Sequence, residues 1–366
     1  MARKALLLGG TGQTGRAAAA RLAEHGWDVT AASRGERAVP AEVEKAARVV
    51  RLDREDTEAL RTSLGDGVDA LIDFVAFEPA HADQLLSLRD LVRSLIVLSS
   101  GSVYTDAEGR AFDEAETPDE FPHYPVPIRE RDQPTVTPGP ATYSTKKAAI
   151  ERALLDQDAI PSTVLRAGAI YGPGSTGSRE WYFVKRILDG RRYVALPYRG
   201  LSRFHPVSTE TLAELIWLAA ERPGRRVLNA GDPDPPTVLE ISRAIAAALD
   251  HEWTEVLLPG AVPRNHPSDT PWSGVRPFVM DMTEAEFEVG YRPATRYERA
   301  VVPTVEWLVE ATRDRPWEEA LPGAARYLEH SFGYDAEDAY VTERLGAPID
   351  SQAGERRPAR QPSTRS

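Results

Sequence analysis

The chain has 366 residues, of which 42% are hydrophobic, enough to bury a large core in one long domain or two smaller ones. Its formal net charge of -12 disfavours a nucleic-acid partner, because proteins that bind polyanions normally present a basic face. Cysteine is absent, which excludes disulfide bonds, thiolate metal sites and a cysteine nucleophile. No apolar run approaches the ~18 residues of a membrane span, so we expect a cytoplasmic protein without membrane or metal partners.

Short apolar runs alternate with helix-favouring segments through the first half of the chain. Strands are predicted at 5–8, 29–32, 49–52, 69–74, 95–99 and 163–166, and helices at 14–25, 42–47, 56–64, 80–92 and 141–155. Strands separated by helices indicate a parallel sheet with crossover helices, hence an α/β fold with a doubly wound Rossmann sheet. The segment 104–141 is rich in Pro, Asp and Glu and lacks a clear period, so we interpret it as a functional loop or lid.

The second half of the chain is less regular. Helices are predicted at 178–188, 209–221, 239–249, 297–312 and 317–330, with a strand at 227–229 and a short helix from 283 to about 290. Segments 237–240 and 283–286 each have the capping-box pattern that opens a helix. We therefore expect a cofactor-binding domain over 1–175 and a smaller α/β substrate-binding region over 176–348. Some elements of that region would return to the main sheet, an extra helix would follow, and 349–366 would form a disordered tail.

The first predicted strand leads directly into a glycine-rich loop at 9–15, which is followed by the first helix. A strand, Gly-x-x-Gly-x-x-Gly and a helix form the context of a dinucleotide phosphate-binding loop. Glycine permits the tight turn and lets backbone N–H groups approach a pyrophosphate, while the helix N-terminus adds partial positive charge. The expected cofactor contacts in this loop are Gly9, Thr11, Gly12, Gln13, Thr14 and Gly15.

The end of the second strand predicts which dinucleotide binds. Ser33 occupies the position where an acidic residue would bond the adenine-ribose 2′-hydroxyl and repel a 2′-phosphate. Arg34 follows, with Arg37 nearby, and a guanidinium suits a phosphate; the alternative is that Arg34 is a solvated loop residue. We therefore expect NADP(H) in preference to NAD(H).

Two later strand ends complete the expected cofactor contacts. Asp53, which ends the third strand, is interpreted either as a partner of the adenine amino group or as a helix cap, and the sequence leaves both open. Val75 and Ala76 directly follow the fourth strand. Ligands in doubly wound sheets bind beyond the carboxyl ends of the strands, where these residues would lie.

Two further motifs lie where such a fold would present them to the same site. Ser100 ends the fifth strand, and the long helix that follows carries Tyr143 and Lys147 four residues apart, hence on one face. The alternative is an ordinary pair on a helix surface.

These motifs together resemble the extended short-chain dehydrogenase/reductases, often called NAD-dependent epimerase/dehydratases. The resemblance rests on the glycine loop, the Ser-Ser-x-x-Val-Tyr of 99–104 and the Tyr-x-x-x-Lys of 143–147, in this order. Further similar segments are 165–166, 170–174, 227–231 and 281–293, so that roughly residues 4–310 are covered. Each motif is loose, but the ordered set is specific.

The resemblance implies a catalytic role for three residues. Tyr143 would be the general acid or base for a carbonyl or hydroxyl group. Lys147 would bond the nicotinamide ribose, and its ammonium would help to lower the pKa of the phenol, which titrates near ~10 when free. Ser100 would donate a hydrogen bond to the reacting oxygen.

Departures from the family pattern narrow the range of reactions that we expect of this chain. Residues 100–102 read Ser-Gly-Ser where the sugar-nucleotide 4,6-dehydratases carry Thr-Asp-Glu, so the carboxylates expected to move protons in water elimination are missing. Arg166 is followed by Ala-Gly-Ala instead of Pro and Asn, which weakens the case for a nucleotide-sugar substrate. Trp181, Tyr182, Arg203 and His266 could contact substrate, although ordinary structural roles are the stronger interpretation of each.

We therefore predict an NADP(H)-dependent ketoreductase or dehydrogenase that acts on a carbonyl or hydroxyl of a sugar-like or polyhydroxylated small molecule. The first alternative is an NAD(P)-dependent epimerase of sugars or nucleotide sugars. The second is a non-catalytic relative that senses cofactor or binds RNA. By resemblance alone, we expect a homodimer.

Overall fold

The computed structural model of the chain describes residues 2–36, 38–115, 117–293, 295–347 and 349. Arg37 and nearly all of the predicted tail at 349–366 lie outside the described residues. In chain order, the strands are β1 (Lys4–Leu8), β2 (Asp28–Ser33), β3 (Arg48–Arg51), β4 (Ala70–Asp73), β5 (Leu95–Ser100), β6 (Ser162–Ala167), β7 (Ala169–Tyr171), β8 (Tyr193–Leu196), β9 (Pro206–Ser208), β10 (Arg226–Ala230) and β11 (Thr254–Leu257).

The α-helices are α1 (Gln13–Glu24), α2 (Ala41–Ala46), α3 (Thr57–Leu64), α4 (Ala80–Ser87), α5 (Tyr143–Leu155), α6 (Trp181–Leu188), α7 (Thr209–Glu221), α8 (Val238–Ala248), α9 (Thr283–Val289), α10 (Tyr297–Ala300), α11 (Val302–Ala311), α12 (Trp317–Ala320), α13 (Pro322–Leu328) and α14 (Tyr334–Leu345). Short 3-10 turns lie at Gly101–Val103, Phe112–Glu114, Pro118–Glu120 and Pro197–Gly200. None of the described helices is both long and apolar enough to cross a membrane.

Seven parallel strands form the central sheet, in the order β10-β6-β5-β4-β1-β2-β3. All seven predicted strands are present with ends within one residue of those predicted, which confirms the Rossmann fold class. From β1 the chain runs outward to β3 and then returns to β4 on the other side of β1. The crevice between β1 and β4 is therefore the switch point at which doubly wound sheets bind ligands.

Apolar clusters cover both faces of the sheet. On one face α1 and α7 pack through residues such as Leu22 and Leu215, and on the other α3, α4 and α5 pack through Leu60, Leu85 and Ile150. Because both faces are buried, the central strands are continuously apolar rather than alternating. The sheet and its helices thus hold the carboxyl ends of β1, β4 and β5 at fixed positions along one edge of the fold.

The later part of the chain builds a second apolar cluster and contributes one strand to the main sheet. α6, α8, α11 and α13 surround this cluster, and two small parallel pairs, β8–β11 and β7–β9, lie outside the main sheet. β10 returns to pair with β6.

Several helix predictions need correction. The helix predicted at 80–92 ends at Ser87, and the helix predicted at 178–188 begins at Trp181. The helix predicted at 297–312 is divided into α10 and α11, and the one predicted at 317–330 is divided into α12 and α13 at Leu321-Pro322. The Thr237–Glu240 capping box is present at the start of α8. The one at 283–286 is wrong, because Met282 is the N-cap residue and Asp281 accepts the backbone N–H of Thr283.

The segment predicted as a long loop at 104–141 is packed against the body of the protein. Tyr124 and Ile128 are buried beside Phe278 and Met280. The backbone N–H of Ile128 donates to the carbonyl of Val279 at 2.7 Å. These contacts hold the segment predicted as a functional loop or lid against the body of the protein.

Candidate active site

The glycine loop follows β1 as the sequence predicts, and its geometry leaves no room for side chains. Gly9 has a φ of +79°, which favours glycine. A Cβ on Gly15 would lie 2.4 Å from the carbonyl oxygen of Gly9, and one on Gly10 would lie 2.8 Å from the Cβ of Ala31. Gly12, the N-cap residue of α1, offers no side-chain acceptor, so the first-turn N–H groups keep their donor capacity for a ligand. These features fit a dinucleotide pyrophosphate.

The end of β2 carries positive charge beside Ser33. Arg34 forms an exposed ion pair with Glu36 at 3.1 Å. Ser33 is in register with Arg51 on β3, and the Arg51 side chain packs under Gly35. Two guanidinium groups thus flank the position expected to meet the cofactor ribose.

Asp53 is exposed and accepts the backbone N–H of Glu55 at 3.1 Å. The cap of α3 is instead Asp56, which accepts the N–H of Ala59. The helix-cap interpretation of Asp53 is therefore wrong, and its carboxylate remains available at the end of β3.

A buried ion pair fixes the chain beyond β4. Asp73 is fully buried, pairs with Arg54 at 2.7 Å and accepts the backbone N–H of Val75 at 2.7 Å. Val75 contacts the loop from below, because a Cβ on Gly9 would lie 2.9 Å from its Cγ1. Ala76, the next residue, is buried and directs its carbonyl towards α5.

Lys147 lies beneath this part of the site with little exposure to solvent. Its ammonium donates to the carbonyl of Ala76 at 2.7 Å and of Leu98 at 2.8 Å, and lies 4.7 Å from the ring centre of Phe77. An ammonium has three donors, so one remains without a protein acceptor among the described residues. Burial lowers the pKa of Lys147 to about 8, while the charge of Asp73 opposes this shift.

Ser100 and Tyr143 line the same cavity, as the sequence predicts. Ser100 ends β5 and accepts the backbone N–H of Ser102 at 3.1 Å. Thr142 caps α5 in a capping box with Thr145, which places Tyr143 at the first position of that helix. Nearly half of the Tyr143 side chain (47%) is exposed. The ammonium of Lys147 lies 5.7 Å from the centre of its ring.

The pKa of Tyr143 is raised. Partial loss of solvation at the half-exposed phenol is the main cause, and the charge of Asp113 adds to it, while the hydroxyl of Ser100 opposes it by hydrogen bonding. The Lys147 ammonium donates to two carbonyls and lies beside the Tyr143 ring. The Tyr143 phenol is therefore protonated at physiological pH.

The cavity has a volume of about 670 Å³. It reaches from Gln13 of the glycine loop to the segment after β7. Its described lining residues include no carboxylate. The lining consists of Gln13, Ser100, Gly101, Ser102, Phe112, Tyr143, Ala167, Gly168, Ala169, Ile170, Gly174, Ser175, Thr176, Gly177, Arg179, Phe204 and Phe278.

The sequence profile described as "NAD dependent epimerase/dehydratase family" matches residues 5–231. The chain belongs to this family. It is therefore an enzyme of a pyridine-nucleotide-dependent family, as the sequence resemblance predicted. A comparison with curated proteins finds no match.

Solved structures of epimerases and a dehydratase share the fold of this family member. UDP-glucose 4-epimerase from Thermotoga maritima, with UDP-glucose, is 20% identical, with a TM-score of 0.63 over 84% of this chain and 99% of that chain. dTDP-glucose 4,6-dehydratase from Bacillus anthracis, in complex with NAD, is 17% identical, with a TM-score of 0.63 over 87% of this chain and 100% of that chain. UDP-glucose-4-epimerase from Stenotrophomonas maltophila, with NAD and formylated UDP-arabinopyranose, is 18% identical, with a TM-score of 0.65 over 85% of this chain and 99% of that chain.

The four residues named as candidate substrate contacts do not line the cavity of this epimerase/dehydratase family member. Trp181 and Tyr182 are buried in the second apolar cluster, Arg203 is exposed outside the cavity, and His266 packs against Tyr340. The cavity takes its aromatic and charged residues from other positions, which no family motif marked.

Asp113 is a further residue near the site that sequence reasoning missed. It lies in the 3-10 turn Phe112–Glu114 and accepts the backbone N–H of Ser144 at 2.8 Å. Ser144 in turn donates its hydroxyl to Ser102 at 2.8 Å. The family member's 104–141 segment thus anchors the start of α5. An Asp in a period-free loop gives no sequence signal for this contact.

Proposed function

We propose that this protein is an NADP(H)-dependent reductase or dehydrogenase that interconverts a carbonyl and a secondary alcohol. The observation that carries the proposal is that Tyr143 and Ser100 face one cavity with Gln13 of the glycine loop. The described lining offers no carboxylate for water elimination, which disfavours a dehydratase.

In the proposed reaction, Tyr143 donates its phenolic proton to the carbonyl oxygen of the substrate as the carbonyl carbon becomes tetrahedral. Ser100 donates a hydrogen bond to the same oxygen and stabilises the charge that develops on it. NADPH held at the glycine loop would supply the hydride. Solvent then returns a proton to Tyr143, and Lys147 favours the transient phenolate by its positive charge.

The loop at 9–15 would hold the pyrophosphate, and Lys147 would use its remaining N–H for the nicotinamide ribose. Val75 and Ala76 would line the crevice between β1 and β4, and Asp53 would accept from the adenine. Arg34 and Arg51 support a 2′-phosphate, because guanidinium groups bind phosphate oxygens through paired hydrogen bonds.

An epimerase is the second candidate, favoured by the fold shared with UDP-glucose 4-epimerases. That reaction begins with oxidation of a hydroxyl group and needs Tyr143 as a base. The guanidinium of Arg34, which suits the 2′-phosphate of NADPH, favours net reduction over epimerisation.

One assay separates the two reactions. Purified enzyme is given NADPH and a panel of ketones, and in parallel NAD+ or NADP+ with UDP-glucose, while absorbance at ~340 nm and product stereochemistry are followed. The proposal expects stoichiometric NADPH consumption with at least one ketone. Interconversion of sugar isomers without net consumption would establish the epimerase instead.

A further inference from the structure

Arg179 supplies positive charge to the wall of the substrate cavity. It lies between β7 and α6 and is partly buried. Its guanidinium carbon lies 5.6 Å from the ring centre of Phe204 and 5.7 Å from that of Trp272. Among the described residues that line the cavity, Arg179 has a charged side chain and the others are neutral.

No acceptor in the described part of the chain forms a hydrogen bond or ion pair with this guanidinium. The neighbouring Glu180 is fully buried, and its carboxyl group accepts hydrogen bonds from Ser178 and, at 3.4 Å, from Tyr297. Burial raises the pKa of Glu180, while the charge of Arg179 opposes this shift. Because the guanidinium has no hydrogen-bonded acceptor among the described residues, its N–H groups are available to a ligand.

Three phenylalanines form an apolar wall of the same cavity. The ring centres of Phe112 and Phe278 lie 5.1 Å apart, those of Phe204 and Phe278 5.3 Å, and those of Phe112 and Phe204 5.7 Å. Such a wall favours an apolar or planar ligand body over a polyhydroxylated one, because hydroxyl groups lose water there without gaining partners. Phe204 also contacts Arg179, so the apolar wall and the cation are adjacent.

The backbone just before Arg179 is held by α13. Ala324 of α13 donates its N–H to the carbonyl of Thr176 at 2.8 Å, and the Tyr327 hydroxyl donates to the carbonyl of Gly177 at 2.7 Å. Gly323 packs so closely that a Cβ there would lie 2.9 Å from the Cα of Gly177. Arg179 therefore follows an anchored segment, and less ordering entropy is lost when it binds a ligand.

We propose that Arg179 binds an oxyanion of the substrate, a carboxylate or a phosphate monoester, while the substrate body packs against Phe112, Phe204 and Phe278. The planar guanidinium can bind either oxyanion through two parallel hydrogen bonds. The cavity volume of about 670 Å³ lies in the range of small-molecule sites. The inference rests on the proposed function in one respect, since that function places the reacting carbonyl at Tyr143 and Ser100.

The test measures binding without turnover, by calorimetry on the NADP+-saturated enzyme. The probes are phenyl phosphate, benzoate and the neutral benzyl alcohol. We expect at least one anion to bind the wild type more tightly than benzyl alcohol, and Arg179→Gln to weaken that binding tenfold or more, as loss of a charged hydrogen-bond donor predicts. Benzyl alcohol binding should be unchanged, and Arg179→Lys should restore part of the anion affinity. The anion that binds more tightly identifies the substrate group as carboxylate or phosphate.

Arg203→Gln is the matched control, because Arg203 is exposed and lies outside the cavity. NADP+ affinity and melting temperature of both variants verify folding. Any of three results would overturn the inference. The wild-type enzyme binds neither anion, the anion affinity of Arg179→Gln equals that of the wild type, or Arg203→Gln loses as much anion affinity as Arg179→Gln. If no ketone is reduced but anion binding still depends on Arg179, the proposed function fails and the anion site stands.

Discussion

Tyr143 combines exposure to the cavity with a raised pKa, and both properties suit a proton donor. We expect Tyr143→Phe to reduce kcat by at least a hundredfold, because general acid catalysis contributes about 10²–10⁴-fold. NADPH affinity should change little, since the ring remains. Fluorescence titration and steady-state kinetics check both. Tyr340→Phe, on α14 away from the cavity, should keep the wild-type rate. Loss of NADPH binding in Tyr143→Phe would instead mean a structural role.

The pKa of Lys147, lowered to about 8 by burial, predicts the pH dependence of the rate. The ammonium is charged below this pH and loses its proton as the pH rises through it, so kcat should fall above pH 8. Asp73 raises the pKa of Lys147, and Asp73→Asn should therefore move this fall to lower pH. Glu78→Gln is the control, because Glu78 pairs with Lys146 at 2.8 Å. A pH profile identical in Asp73→Asn and wild type contradicts the assignment.

The choice between NADP(H) and NAD(H) depends on Arg34. We expect Arg34→Ala to weaken NADPH binding about tenfold, because a charged hydrogen bond to phosphate contributes ~1.5–3 kcal/mol, and to leave NADH binding nearly unchanged. Arg48→Ala controls for loss of charge, since Arg48 begins β3 at the opposite end from Arg51. Equal weakening of both cofactors in Arg34→Ala would refute the 2′-phosphate assignment.

Motif residues of the site were predictable from the sequence because local rules govern them. The glycine loop needs glycine for steric reasons, and Tyr143 and Lys147 follow the helical repeat. Arg179 and Asp113 were not predictable, because each reaches the site from an irregular segment whose path is set by tertiary contacts. The raised pKa of Tyr143 was also missed, since burial and the Asp113 charge are properties of the folded chain.

Among the elements, strands of the main sheet were predictable because buried parallel strands are continuous apolar runs. Short strands were missed: β7 and β9 have three residues each, too few for a period. Helix α14 was missed for another reason. Its buried residues are Glu337, which pairs with Arg186 and Arg191, and Val341, and two buried positions are too few to give a helical apolar repeat.

The contact between α13 and the segment at 174–178 allows a test at the level of elements. A Cβ on Gly323 would lie 2.8 Å from the carbonyl oxygen of Thr176, so Gly323→Val should displace the cavity wall. We expect KM for a reduced ketone to rise several-fold while NADPH affinity stays unchanged, because the glycine loop is untouched. Gly260→Val, at a position with open space, should leave both constants unchanged. An unchanged KM in Gly323→Val would show that the wall tolerates displacement.

For the whole molecule, a buried ionic cluster joins α14 to α6. Arg186 donates to the carbonyls of Pro267 and Ser331 and pairs with Glu337 at 3.3 Å, with both charged side chains fully buried. Breaking one side of such a pair costs about 3 kcal/mol. Glu337→Gln should therefore lower the free energy of unfolding by that amount in urea denaturation. The exposed Glu343→Gln on the same helix should have no effect, and equal stabilities would contradict this role for the cluster.

The predicted homodimer and the domain boundaries at 175 and 348 stay predictions. Sedimentation at micromolar concentration would measure the oligomeric state directly.

The ammonium of Lys147 also has a mechanical consequence. Its two carbonyl partners belong to neighbouring parts of the sheet edge, Leu98 within β5 and Ala76 just beyond β4, and the side chain itself rises from α5. One cation thus connects β5, the segment after β4 and α5 at the crevice where the cofactor is expected. Lys147→Met would leave two buried carbonyls without a hydrogen-bond donor and would also remove the positive charge. Loss of activity in Lys147→Met would therefore combine a structural effect on the site with the loss of the ammonium. Lys147→Arg, which keeps the charge and the donors, is the substitution that separates the two.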